Sequence, residues 1–378
     1  MSEAPSAPMQ RALTLAREVV GRTSPNPAVG AVVVRDGRVV GEGAYWGPGT
    51  PHAEVVALAQ AGESARGATV YVTLEPCNHS LTREGLRRTA CAEALIAAGV
   101  ARTVYSIDDP DERTAGRGAA ALAAAGIAVE VGDGAEESAR ILEAYLKHRR
   151  TGLPFVIVKY AASLDGRIAA ASGDSRWVSG PETLRWSQAL RTQIDAIMVG
   201  VSTVVVDDPL LTARPGGVDA ERQPLRVVVD SDGRTPLDAK VLTGPAKTLV
   251  ATTERSPYSW RDLLFLRHAE VVPFIEAADG RVSLPALLAE LGKRGVQTLL
   301  VEGGGVLHGS LFDQRLVDKV HAVLAPMIIG AAKAPMAVAG RGAERMADAV
   351  RLRDVTVERL GEDVLVTGYP VWPTGVGA

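Results

Sequence analysis

Cysteine is scarce in this chain: Cys77 and Cys91 are the only two in 378 residues. A small disulfide-stapled scaffold is therefore excluded. Aromatic side chains make up only 4% of the sequence, and no apolar run is long and unbroken enough to span a bilayer, which excludes a helical membrane anchor. No charge of one sign dominates either. Residues 1–150 carry 16 Lys/Arg against 18 Asp/Glu, and residues 151–378 carry 25 against 26, so neither half has the positive excess of a nucleic-acid binder. Residues 1–8 are rich in Pro, Ala and Ser and lack the apolar core of a secretory leader, so the expected location is a reducing cytoplasm. A chain of this length is expected to hold two or more domains, each with its own core.

The two cysteines stand in an informative setting. His52-Ala53-Glu54, Glu75-Pro76-Cys77 and Cys91 supply one imidazole, two thiols and a carboxylate two residues after the histidine. A catalytic zinc takes three protein ligands and keeps one position open, and His52, Cys77 and Cys91 fit that count. Zinc lowers the pKa of a bound water from about 15.7 to roughly 7. Glu54 reads as the general acid/base, taking a proton from water and delivering it to a ring nitrogen and to departing ammonia. Either cysteine alone reads equally well as a small buried hydrophobe. In this order and company, the set reads as a hydrolytic zinc deaminase, and the balanced charge disfavours a nucleic acid as its substrate.

Local pattern supports that reading. His52 follows Pro51 and opens an alanine-rich helical run to Ala61, and Cys91 opens another that ends before Gly99. Helix starts aimed at the metal favour thiolate. Elsewhere in this half, strands are expected at 29–34, 38–44, 68–73, 102–107 and 127–131, the first two joined by an Asp36-Gly37 hairpin turn. Helices lie between them, the last ending near Lys147. The Gly/Pro-punctuated basic stretch Lys147 to Pro154 marks a domain boundary. Residues 1–8 read as a disordered tail, 9–149 as the first domain and 150–378 as the second.

In the second domain, strands are expected at 155–160, 195–199, 225–229, 248–252 and 298–301 among helices, with a terminal pair turning at Gly361-Glu362-Asp363. Glu302-Gly303-Gly304-Gly305 follows one strand and opens a helix, where glycines let a phosphate approach backbone N–H groups. Tight helix–strand packing explains such glycines as readily. The spacing is not the dinucleotide fingerprint G-x-G-x-x-G.

Taken together, Thr23-Ser24-Pro25-Asn26-Pro27-Ala28-Val29-Gly30, Pro51-His52-Ala53-Glu54, Thr73-Leu74-Glu75-Pro76-Cys77 and Ala115-Gly116-Arg117-Gly118 resemble the deaminase half of the bifunctional riboflavin-biosynthesis pyrimidine deaminase/reductases, the RibD family. The reductase half is matched by Ala162-Ser163-Leu164-Asp165-Gly166-Arg167, Gly173-Asp174-Ser175-Arg176-Trp177, Asp207-Asp208-Pro209, Val229-Asp230-Ser231 and Val301-Glu302-Gly303-Gly304. The resemblance covers about residues 9–368. It implies an α/β architecture: a cytidine-deaminase-like three-layer domain followed by a dihydrofolate-reductase-like domain. It also implies two reactions, zinc-dependent deamination of a phosphoribosylamino pyrimidinone and NADPH-dependent reduction of its ribose to a ribityl chain.

Carried over by position, Asn26 and His79 are expected to contact the pyrimidine. Lys159, Ser175, Arg191, Leu211, Arg214 and Glu302 are expected to line the reductase substrate site. Ala161, Trp177, Thr203, Asp207 and Ser231 are expected to hold NADPH. So is the run Gly304, Gly305, Val306, Leu307, His308, Gly309 and Ser310. Lys159 and Asp207 are the candidates for polar roles near hydride transfer. The expected partner is a small phosphorylated pyrimidine rather than a nucleic acid or membrane, with a homo-oligomer possible.

Two departures from the family pattern fall in the first domain. Thirteen residues, Asn78 to Ala90, separate the two cysteines where the family has a shorter Gly- and Pro-containing link, and this loop offers Arg83, Arg87 and Arg88 against Glu84 as a phosphate partner. Asp109-Pro110-Asp111-Glu112 stands where the family has Asp-Pro-Asn-Pro, adding negative charge beside a phosphorylated substrate. Two alternatives follow: a reductase whose first domain is only structural, or a relative acting on another pyrimidine- or purine-derived nucleotide.

Overall fold

A computed structural model describes residues 4–80 and 89–373, so the loop arginines Arg83, Arg87 and Arg88 lie outside the described residues. The chain divides between Gly152 and Leu153 into two compact units.

The first unit runs α1 (Ala7–Glu18), β1 (Gly30–Arg35), β2 (Arg38–Ala44), α2 (Ala53–Ala61), β3 (Thr69–Val72), α3 (Cys91–Ala98) and β4 (Arg102–Tyr105). It continues with α4 (Arg117–Ala124), β5 (Ala128–Val131), α5 (Ala135–Ile141) and α6 (Glu143–Thr151). Among the described residues these strands form one sheet in the order β2-β1-β3-β4-β5. β1 is antiparallel to both neighbours, while β3, β4 and β5 run parallel. The β1–β2 turn has positive φ at both Asp36 (49°) and Gly37 (74°), which a two-residue hairpin of native twist requires.

Glycine sets how closely the helices approach this sheet. A Cβ on Gly30 would lie 2.1 Å from the Ala12 carbonyl oxygen of α1, and one on Gly43 would lie 2.2 Å from that of Ala53 in α2. Gly30 faces Ala44 and Gly43 faces Ala31 across the ladder, so the two glycines open opposite faces. α1 therefore covers one face and α2 the other, with α3 packed beside α2.

The eight-residue tail is not found as such: α1 begins at Ala7, and Met9 is fully buried. Pro8 sits in the first helical turn, where its missing N–H costs nothing, and Ser6 bonds Asp133 through both its N–H and its hydroxyl. The last helix likewise extends past Lys147 to Thr151 and stops at Gly152, whose φ of 72° suits a left-handed cap.

The second unit runs β6 (Phe155–Ser163), α7 (Pro181–Arg191), β7 (Ala196–Gly200), α8 (Val201–Asp207), β8 (Leu225–Val229), β9 (Thr248–Thr252) and α9 (Tyr258–Phe265). It continues with β10 (Ala269–Pro273), α10 (Leu284–Lys293), β11 (Thr298–Gly303), α11 (Gly305–Asp313), β12 (Lys319–Ala325), β13 (Arg351–Leu360) and β14 (Asp363–Val371). Among the described residues the order is β10-β9-β8-β7-β11-β6-β12-β14-β13. Strands β10 to β12 in that order are parallel, and the terminal hairpin closes the edge antiparallel. The central strands read as continuous apolar runs because both of their faces are covered; Val156, Val158, Leu299 and Val301 have no exposed surface. Strands β10 and β12 escape the sequence pattern. β10 is a short, half-exposed edge, and Lys319 and His321 interrupt the apolar alternation of β12.

Substituting Gly43→Ala is expected to push α2, and with it His52, off the sheet. Zinc content and melting temperature should both fall against the unsubstituted protein, and an unchanged value of both would contradict the packing described.

Candidate active sites

In the first unit, two helix starts and one loop converge. His52 immediately precedes α2, in extended conformation, and Cys91 is the first residue of α3. Cys77 follows β3 on a loop tied to α3 by the Ala92 N–H, which donates to the Cys77 carbonyl at 3.1 Å. His52 Nδ1 lies 3.2 Å from Cys91 Sγ and 3.7 Å from Cys77 Sγ, and the Cys91 N–H points at Cys77 Sγ from 3.5 Å. The three ligand atoms lie within 4.8 Å of one another, and no disulfide joins the sulfurs. One imidazole and two thiols at this spacing fit a tetrahedral zinc with one position left for water. Tyr45 packs edge-on against the His52 ring at 5.1 Å, fixing its orientation.

Glu54, in the first turn of α2, is 3% exposed and lines the same cavity of about 320 Å³. Burial pushes its carboxyl above the usual range; the His52 ring opposes that rise and the Cys77 sulfur adds to it. A carboxyl so placed is suited to take and return a proton. Asn26 and His79 also line the cavity, Asn26 donating to the Tyr45 hydroxyl at 2.7 Å and His79 lying 3.4 Å from the Thr114 hydroxyl.

Glu75 has a role that sequence reading does not assign. Its buried carboxylate accepts from the backbone N–H groups of Gly116 (3.0 Å), Gly118 (3.1 Å) and Ala119 (3.2 Å), and more distantly from Asp109 (3.4 Å). It thereby caps α4 from outside and holds the 109–118 loop against the strand exit that carries Cys77. Gly118 is obligatory there, since a Cβ would lie 1.8 Å from the Pro76 carbonyl oxygen. Asp109, Tyr145, Asp111, Arg113 and Arg149 complete the wall. Asp109 and Asp111 stood out through the Asp109-Pro110-Asp111-Glu112 departure, but no short-range pattern announces that Tyr145 and Arg149 join them, because Tyr145 meets Asp109 across 36 residues of chain; the only local hint of those two was the basic run that ends α6.

In the second unit, a cavity of about 1630 Å³ opens at the C-terminal ends of the parallel strands. That exceeds the space of one drug-sized ligand and suits a dinucleotide together with a substrate. Lys159 on β6 and Glu302 on β11 follow the paired residues Val158 and Val301 by one position, so both leave the ladder on the same side. Arg191, at the end of α7, reaches Glu302 Oε2 at 2.5 Å and the Thr212 carbonyl at 3.1 Å. Burial opposes ionisation of Glu302, but Arg191 and Lys159 together outweigh it and hold the carboxyl below its usual range. Burial also lowers Lys159 below the ordinary ammonium range, against the pull of Glu302.

The remaining reductase candidates border this cavity with one exception. Ser175 donates to Asp207 Oδ1 at 2.6 Å, and Trp177 is 68% exposed rather than core. Ala161, Thr203, Ser231, Leu211 and Arg214 line it too, the Arg214 N–H donating to Gln188 at 2.7 Å. At the start of α11, Gly304 takes φ 86°, and Gly304, Gly305, Val306, Leu307, His308 and Ser310 face the cavity. Gly309 does not: its Cβ position lies 2.3 Å from the Ala339 backbone, so it is a packing glycine. Gly305 serves both purposes, lying against the Met336 carbonyl at 2.1 Å from its Cβ position. His308 is buried with Nδ1 2.9 Å from the Ala337 carbonyl oxygen. Asp207 and Asp208 also end α8, so they serve the helix terminus as well as bordering the cavity. Arg226 is a further residue the sequence did not mark: 1% exposed, it donates to the carbonyls of Leu210, Thr243 and Ala246 and so pins the chain beside Leu211.

Comparison with known proteins agrees with this division. Residues 2–107 match the cytidine and deoxycytidylate deaminase zinc-binding region, and residues 154–366, more than half of the chain, match the RibD C-terminal domain. The chain belongs to the RibD family. It is 40% identical over 370 residues to the riboflavin biosynthesis protein RibD of Escherichia coli K12, covering 94% of this chain and 96% of that protein. RibD of Synechocystis is also 40% identical, over 96% and 95%. Among solved structures, Acinetobacter baumannii RibD superposes with a TM-score of 0.86 at 37% identity, covering 96% of this chain and 98% of that one. A Thermotoga maritima protein described as a diaminohydroxyphosphoribosylaminopyrimidine deaminase/5-amino-6-(5-phosphoribosylamino)uracil reductase superposes at 0.83 and 31% identity, with the same coverage. RibD membership carries zinc and NADPH as cofactors of the two units, and the donor set and cavities described above fit both. No helix among the described residues is long and apolar enough to cross a membrane.

The Asp109 carboxyl, buried and bonded to the Tyr145 hydroxyl at 2.8 Å, is pushed up to about 6 from 3.8, chiefly by burial. The folded state thus holds this proton more tightly than the unfolded chain, so its stabilising share is present below about pH 4 and is lost as pH rises through 6. Asp109→Asn keeps the acceptor oxygen and is expected to stabilise the protein at pH 8 by on the order of 3 kcal/mol. Melting temperatures should converge with those of the unsubstituted protein below pH 4; a loss of stability at pH 8 would contradict the assignment.

Proposed function

We propose that this protein catalyses two consecutive steps of riboflavin biosynthesis: hydrolytic deamination of 2,5-diamino-6-ribosylamino-4(3H)-pyrimidinone 5′-phosphate, then NADPH-dependent reduction of its ribosyl group to a ribityl chain. The observation that carries the reading is the meeting of the ligand atoms of His52, Cys77 and Cys91 within 4.8 Å of one another, beside a cavity that His52, Cys77 and the buried carboxyl of Glu54 line.

In the deaminase site, His52, Cys77 and Cys91 hold zinc, which when bound acidifies a water molecule and so supplies a nucleophile at neutral pH. Glu54 takes one proton from the water and passes it to the ring nitrogen beside C2, then takes the second from the hydroxyl added at C2 and delivers it to the amino group, so that the C2–amino bond breaks, the carbonyl forms and ammonia leaves. Asn26 and His79 orient the pyrimidinone. In the reductase site, bound NADPH would supply a hydride for the ribose C1′, and the ring oxygen would take a proton as its bond to C1′ opens. Lys159 and Glu302, buried side by side with Arg191, are positioned to hold that proton and the sugar hydroxyls. Arg191 and Arg214 offer guanidinium groups to the substrate phosphate. The start of α11 at Gly304 and Gly305 presents N–H groups to the cofactor's phosphates. The guanidinium groups that line both cavities suit a phosphorylated pyrimidine substrate, and a cytoplasmic location fits the pathway.

Ammonia release and NADPH oxidation measured together from the single diaminopyrimidinone substrate test this reading. Glu54→Gln is expected to reduce ammonia release by about 10²–10⁴-fold while NADPH oxidation continues on the deaminated substrate. NADPH oxidation without ammonia release by the unsubstituted protein would point instead to a reductase with a structural first unit.

A further inference from the structure

The deaminase cavity holds a charge cluster that the family pattern does not predict. Asp111 stands where the family has Asn, and an extra carboxylate beside a phosphorylated substrate is unfavourable unless something neutralises it. Here Arg113 chelates it: Nε reaches Oδ1 at 3.0 Å, Nη2 reaches Oδ2 at 2.9 Å, and the Arg113 backbone N–H adds a third bond at 3.1 Å. Arg149 approaches the same oxygen, Oδ2, to 3.8 Å from the other side. Two guanidinium groups thus offset the Asp111 carboxylate, beside an Asp109 carboxyl whose proton is held up to about pH 6. Among the described residues lining the cavity, these are the two arginines, and no lysine joins them.

The two arginines are not equivalent. The Arg149 side chain is 8% exposed, its guanidinium lies 5.1 Å over the Tyr145 ring, and Nη2 donates to the Pro25 carbonyl at 3.0 Å. It is committed to the protein, and through Pro25 it steadies the segment carrying Asn26. The Arg113 side chain is 39% exposed, and its Nη1 makes no hydrogen bond among the described residues. A chelated guanidinium has a fixed orientation, so its remaining edge is pre-organised for a second oxyanion with little further loss of side-chain entropy.

Resting on the proposed reading of this site, we propose that Arg113 is the specificity-determining residue that takes the substrate's 5′-phosphate in the deaminase cavity, held for that purpose by Asp111 and backed by Arg149. The substitution of Asp for Asn then belongs to the recognition device: it supplies the anchor that aims the arginine. Phosphate displaces nothing, because Asp111 keeps Nε and Nη2 and Nη1 is the nitrogen the proposal gives to the ligand.

The test compares deamination of the phosphorylated diaminopyrimidinone with that of its dephosphorylated counterpart by the zinc-loaded full chain. Arg113→Gln is expected to lower the preference in kcat/KM for the phosphorylated substrate by on the order of ten- to a hundred-fold, the loss of a charge-assisted contact, with the change carried by KM. Arg113→Lys, which keeps the charge, should recover part of that preference. Zinc content and melting temperature identify any variant that has lost its fold rather than its ligand contact. A preference equal in Arg113→Gln and in the unsubstituted, active enzyme overturns this proposal alone and assigns the phosphate to other groups. No ammonia release by the unsubstituted enzyme from either substrate overturns the functional reading and this proposal with it.

Discussion

The first N–H groups of an α-helix find no partner inside the helix, and the ways in which this chain satisfies or exposes them organise both of its units. In the first unit, the Cys91 N–H at the head of α3 points at the sulfur of Cys77, and the head of α4 is capped by the carboxylate of Glu75. Because Glu75 lies two residues before Cys77, one buried carboxylate sets both the loop that carries a metal ligand and the loop that walls the cavity. In the second unit, the head of α11 at Gly304 borders a large cavity, and the function proposed above uses its N–H groups for a dinucleotide's phosphates. The same backbone requirement is met by protein in one place and, in that proposal, by ligand in the other.

Buried charge is the second organising constraint. An isolated buried ion costs several kcal/mol, so each of those described is either paired or surrounded by oriented dipoles. Glu302 has Arg191 and Lys159, Asp111 has two arginines, Glu75 has backbone N–H groups, and Arg226 has three carbonyl oxygens. Asp109 has the Tyr145 hydroxyl and the Asp111 backbone N–H but, among the described residues, no cation within bonding distance, and it is the group whose proton is held to about pH 6. Glu54 is buried to a similar degree, and its raised carboxyl is matched to a task in which a proton is carried and released.

Much of the deaminase site could be read directly. Two cysteines in a long chain, a His-x-Glu triplet and two alanine-rich runs opening at His52 and Cys91 carry their own structural context, and α2 and α3 begin where those runs open. The hairpin at Asp36-Gly37 was legible because its backbone admits few residues. Helix α1 was legible because Met9, Ala12, Leu13 and Ala16 fall on one helical face, and only its start at Ala7 hid in a Pro/Ala/Ser-rich stretch that reads equally as tail; β12 hid because Lys319 and His321 break its alternation while His321 is buried against Thr367. Glu75, Tyr145 and Arg149 were illegible for a different reason: their partners are tertiary, and nothing in local spacing predicts that a strand-exit carboxylate will cap a helix forty residues later. Arg149 was read as part of a linker, whereas its guanidinium is among the most buried charges of the first unit.

The account stands on the identity of the three residues gathered around the first cavity. X-ray absorption at the zinc edge of the metal-loaded full chain tests this most directly. One nitrogen at about 2.0–2.1 Å and two sulfurs at about 2.3 Å, completed by one light atom, are expected, with one sulfur lost in Cys91→Ala. A shell of nitrogen and oxygen alone, or a sulfur count unchanged by that substitution, would contradict it.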